Sequence, residues 1–135
     1  LGVILLSYSR TQPVVALSTC EAELLALGMA TQEGLFVKHM LAEAGIDAPL
    51  RVRTDSSAAK AVCQRRGVGR MKHLEVKHLW LQDAYRHGDY VLDTVKSEEN
   101  VADGMTKRLA GARHRYLCDL LGLRTTDGNT VGRSG

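Results

Sequence analysis

From Leu24 to Ala44 the sequence carries a stripe of apolar and small residues, Leu24, Leu27, Ala30, Gly34, Val37, Leu41 and Ala44, that any fold for this chain must accommodate. Steps of three and four place them on one face of a 3.6-residue helix. Just ahead, Ser18-Thr19-Cys20-Glu21 has the form of a capping box, in which Ser18 and Glu21 each satisfy an orphan backbone amide. Gly45 follows as a natural stop, since the residue past a helix end often needs a left-handed backbone. A single long helix is expected here.

Strand-like and helix-like segments alternate around it. Val3 to Ser7 and Val14 to Leu17 are short β-rich runs separated by the polar turn Ser9-Arg10-Thr11-Gln12-Pro13, which predicts an antiparallel hairpin. Leu50 to Thr54 reads as a strand ending at Asp55. Ser56 to Arg66 reads as a helix closed by Gly67, with Arg65 and Arg66 in its last turn. Met71, Leu74, His78, Leu81 and Tyr85 predict a third helix ending at Gly88, and Tyr90 to Val95 another strand. Ser97 is expected to cap a fourth helix, with Glu98 and Glu99 in its first turn and Val101, Met105 and Leu109 as its buried stripe. A short last helix covers about Arg113 to Leu121. This order predicts an α/β fold with a mixed sheet. Residues 1–123 are expected to form one domain and residues 124–135, polar and Gly-rich, a flexible tail. The chain opens at Leu1 inside an apolar run and without a Met, which reads as a segment cut from something longer.

Composition narrows the function classes. With 44% apolar and 24% charged residues the chain matches an ordinary globular protein. No apolar run approaches the ~20 residues of a membrane-spanning helix. The net charge of +3 permits a nucleic-acid partner without demanding one. Cys20, Cys63 and Cys118 are odd in number and far apart, which argues against a disulfide framework or zinc site and for a reducing, intracellular setting.

Three carboxylates stand where chemistry would put them. Asp55 follows a strand and precedes a helix, and ligands of open α/β sheets bind outside the carboxyl ends of strands. The plainer account is that Asp55 caps the helix. Glu23 lies early in the long helix, where an exposed acid also suits the helix dipole. Asp103 sits roughly 200° round its helix from Val101, the place of an ordinary solvated residue. Taken together, the three have the oxygen-donor chemistry of a magnesium site. Between Arg65 and His78, the residues Arg65, Arg66, Arg70, Lys72, His73 and Lys77 form a cationic cluster suited to phosphates, or else a solvated helix face. His78 fits the apolar stripe and is expected in the core.

Several ordered motifs resemble the ribonuclease H domain of copia-type retrotransposon Pol polyproteins. Val15-Ala16-Leu17-Ser18-Thr19-Cys20-Glu21-Ala22-Glu23 is similar to the run VALSSTEAEY, and Ala22 to Leu27 to the segment AELxAL. Thr54-Asp55-Ser56 resembles the strand-end D-[NS]. Met71 to His78 is similar to TKHIDIRYH, Val95 to Asp103 to VPTEEQLAD, and Leu120-Leu121-Gly122-Leu123 to the usual ending. The resemblance implies a ribonuclease H-like fold that hydrolyses the RNA strand of RNA–DNA hybrids during reverse transcription. It assigns Glu23, Asp55 and Asp103 to Mg2+ (or Mn2+), two ions in all, and leaves Glu21 to capping. The implied partners are the hybrid and the reverse transcriptase domain of the same polyprotein, in a cytoplasmic retrotransposon particle or the nucleus. The family's first aspartate lies on a strand upstream of the hairpin, and no residue of this chain matches it. A catalytically incomplete fragment, acting as a nucleic-acid-binding or structural module, is the alternative expectation.

Overall fold

A computed structural model describes residues 4–9, 18–67, 78–106 and 108–123. The elements are α1 (Thr19–Glu43), β1 (Arg51–Thr54), α2 (Ser57–Gln64), α3 (Leu79–His87), β2 (Val91–Thr94), a short 3₁₀ turn (Ser97–Glu99), α4 (Asp103–Thr106) and α5 (Gly111–Leu120). The fold is α/β, and the chain divides into two compact units. The larger spans Gln12–Val95, and the smaller joins Leu1–Thr11 to Lys96–Gly135.

In the larger unit, α1 starts and stops where its punctuation predicts. The Ser18 hydroxyl accepts from the Glu21 amide at 3.1 Å, and Gly45 takes φ +79° past the C-cap Ala44. The buried face is rotated from the expected stripe: Leu24, Leu27, Gly28 and Thr31 are buried while Ala30 is exposed. Thr31 can be buried because its hydroxyl donates to the Leu27 carbonyl at 2.8 Å, which removes the cost of an unpaired polar group. Gly34 lets the segment leading into β1 approach closely, since a Cβ there would stand 2.6 Å from Leu50 Cδ1.

β1 and β2 pair in parallel, with Val52 opposite Leu92 and Thr54 opposite Thr94. Val52 and Leu92 are buried, whereas Arg51 and Arg53 face outward and Arg51 pairs with Asp93 at 2.8 Å. The apolar face belongs to a core to which every element of the unit contributes: Leu24 and Leu27, Val52, Val62 and Cys63, Leu81, and Leu92 with Tyr90. The Tyr90 hydroxyl donates to the Leu81 carbonyl at 3.0 Å, so the ring is buried without stranding its polar end. His78 is buried, as its place in the stripe predicts. Gly88, at φ +76°, ends α3.

Two expectations need correction. Residues 4–9 form no strand, and Leu5 and Leu6 are 73% and 58% exposed, without a sheet neighbour among the described residues. The rest of the expected hairpin, and residues 124–135, lie outside the described residues. Among the described residues the sheet is parallel and two-stranded. In the smaller unit, the expected fourth helix is split. Ser97 opens only a 3₁₀ turn, because the Asn100 side chain accepts from the Ala102 amide at 3.2 Å, and this local turn interrupts the helix before Asp103. α5 buries Leu117 and Cys118 and stops at Gly122, φ +67°.

Candidate functional site

Asp55 stands between the last residue of β1 and the cap of α2, and both neighbours are committed to the turn. The Ser56 amide donates to Thr54 Oγ1 at 3.1 Å, and Ser56 Oγ accepts from the Ala59 amide at 3.1 Å. The cap of α2 is therefore Ser56, which overturns the capping account of Asp55. Asp55 is half-buried and has no hydrogen-bond or ion-pair partner among the described residues.

Glu23 is likewise half-buried and without a partner among the described residues, while Glu21 beside it is buried. Glu23 lies near the start of α1, and Asp55 follows directly on β1. The chain leaves α1 at Glu43, turns at Gly45, and by Leu50 has come back level with Gly34. β1 packs on α1. Glu23 and Asp55 both offer oxygen donors, the chemistry a magnesium or manganese ion takes, and neither is engaged by a described cation.

Asp103 belongs to the smaller unit, and it is not the solvated residue its position predicted. It opens α4 at 7% exposure, with Arg113 Nη2 3.4 Å from Oδ2. The same Arg113 nitrogen donates to the Ser97 carbonyl at 2.6 Å, tying the 3₁₀ turn, α4 and α5 together. Among the described residues no three His, Cys, Asp or Glu side chains gather as a metal site.

Of the expected phosphate-binding residues, Arg65 is half-buried and Arg66 exposed, directly after α2. Arg70, Lys72, His73 and Lys77 lie outside the described residues. A residue that sequence reasoning missed holds this segment's start: Gln82, buried in α3, bonds to Val62 and Gly67. Its spacing from His78 and Tyr85 places it on the helix's inner face, but its polarity kept it out of an apolar pattern.

The chain is 28% identical over 119 residues to the retrovirus-related Pol polyprotein from transposon TNT 1-94 of Nicotiana tabacum. The match covers 87% of this chain and 9% of that polyprotein. No family model matches the chain, and no solved structure matches it significantly. The likeness runs nearly end to end on this side and supports an origin in a retrotransposon Pol polyprotein.

Proposed function

We propose that this chain is the ribonuclease H-like segment of a retrotransposon Pol polyprotein, and that it hydrolyses the RNA strand of RNA–DNA hybrids. The observation that carries this reading is that Glu23 and Asp55, two of the carboxylates the resemblance assigns to metal, are both half-buried and without described partners. Such a pair would hold Mg2+, with Mn2+ as a substitute. Two divalent ions supply the activation of water and the charge stabilisation that phosphodiester hydrolysis needs. The resemblance adds Asp103, whose carboxylate is paired with Arg113. Arg65 and Arg66 would meet hybrid phosphates, leaving the RNA–DNA distinction to groove shape and the 2′-hydroxyl. On this reading the partners are the hybrid and the polyprotein's reverse transcriptase domain, in a cytoplasmic particle or the nucleus.

The test is cleavage of a labelled RNA–DNA hybrid in Mg2+ by the polyprotein carrying this segment. Asp55→Asn is expected to reduce RNA-strand cleavage to background while leaving polymerisation intact. Full cleavage by that variant would overturn the assignment. The pairing of Asp103 with Arg113 favours a second reading, a nucleic-acid-binding module without catalysis. Salt-sensitive hybrid binding with no metal-dependent cleavage would select it.

A further inference from the structure

The carboxamide of Gln82 is used completely. Nε2 donates to the carbonyls of Val62 and Gly67, each at 2.9 Å, and Oε1 accepts from the Gly67 amide at 2.9 Å. A primary amide has two donor hydrogens, so both are spent, and the residue is 2% exposed. Gly67 is thus gripped at its N–H and its C=O by one planar group, which fixes its orientation. The grip falls where helical bonding has run out: α2 ends at Gln64, and Arg65 is already extended at φ −88°, ψ 177°. Gly67 takes φ +70°, a conformation glycine adopts without strain. Between helix end and clamp lie Arg65 and Arg66, and Arg66 is exposed with no partner among the described residues.

We infer that Gln82 is a positioning residue for nucleic-acid binding, which by clamping the Gly67 peptide holds Arg66 ready to meet a backbone phosphate. This rests on the hybrid-binding reading above. An arginine on a preset backbone loses less freedom on binding than one on a loose loop. A guanidinium is also the cation best shaped for phosphate oxygens. Gln82 itself touches no phosphate; it acts through the peptide it holds.

The test is the salt dependence of binding between this full chain and a labelled RNA–DNA hybrid in EDTA, which separates backbone contact from any cleavage. Arg66→Ala is expected to reduce the slope of log K against log salt by about 1, the signature of one lost phosphate contact, and Arg66→Lys to restore it. Gln82→Met, with far-UV circular dichroism as in the parent, is expected to lose the same increment, and adding Arg66→Ala to change nothing more. Gly67→Pro breaks the clamp from the exposed side, removing the amide and forbidding the positive φ, and keeps the question open to test if Gln82→Met does not fold. Parental slopes in the folded Gln82→Met or Gly67→Pro chains would overturn the inference while leaving hybrid cleavage untouched. A parental slope in Arg66→Ala would overturn it as well. A parent chain that binds no hybrid would overturn both the inference and the reading beneath it.

Discussion

Two buried amide and hydroxyl side chains of the larger unit and one buried carboxylate of the smaller are tied down differently. In the larger, apolar side chains from every element form one cluster, and the buried polar residues Thr31 and Gln82 turn their polar atoms onto backbone. In the smaller, a buried carboxylate, Asp103, meets a guanidinium, Arg113, which also takes the Ser97 carbonyl. The first arrangement leaves Glu23 and Asp55 with no described partner at the rim of a frame that apolar burial already holds. The second uses its carboxylate as part of the frame. A carboxylate can wait for a ligand only where something else keeps the backbone in place.

That contrast can be broken most directly at the core. Leu81→Ala, at a site with 0% exposure, is expected to cost toward the upper part of about 2–5 kcal/mol, and Leu117→Ala in the smaller unit toward the lower. Urea titrations followed by circular dichroism measure both, and equal losses would erase the distinction. Alkaline pH should act on the larger unit next. Burial pushes the Cys63 thiol from 9.0 up to about 11, and burial also raises the Tyr90 phenol. The folded state therefore favours the protonated thiol. Its contribution, on the order of 2 kcal/mol, is full below pH 9.0 and lost as pH rises toward 11. Denaturation midpoints at pH 8 and 10.5 in the parent and in Cys63→Ala would show whether the thiol is responsible.

Arg113→Ala probes the smaller unit's polar tie and is expected to cost about 1–2 kcal/mol, since a partly exposed guanidinium is partly screened. A loss no larger than that of an Arg53→Ala control, an exposed arginine with no partner among the described residues, would show that the tie contributes nothing. The smallest effect sharpens the comparison in the other direction. Gly28 is buried in α1, yet a Cβ there would meet only Leu81 Cδ1, at an ordinary 3.6 Å. Gly28→Ala should stabilise the larger unit by about 0.5–1 kcal/mol, read as a higher urea midpoint.

Much of the larger unit was legible because its signals are local. The Ser18 cap, the glycines at 45 and 88 and the short β-rich runs around Val52 and Leu92 mark their elements without reference to anything distant. The inner face of α1 was less legible. Apolarity alone chose Ala30 over Thr31, whereas a threonine that bonds its own helix is as easily buried as an alanine. The smaller unit was read as one helix because Val101, Met105 and Leu109 keep helical spacing. Asn100, whose side chain competes for the backbone, decided otherwise. For the site, the motifs led to Asp55 and Glu23, but which residue capped α2 was undecidable from Asp55-Ser56 alone. Gln82 could not be weighed from sequence at all, since its value depends on where Gly67 lies in space.

The parallel pairing of β1 with β2 also sets a schedule. A hairpin can zip as soon as its turn has formed, but β1 must wait for a strand that arrives only after α2, the residues that follow and α3. In synthesis Val52 precedes its partner Leu92 by the whole of α2 and α3. Until Thr94 emerges, the nascent larger unit has no ladder, and α1 and α2 alone must shelter the apolar face of β1. Pauses in translation before Thr94 would therefore be the moments when this segment is most exposed to chaperones and to aggregation.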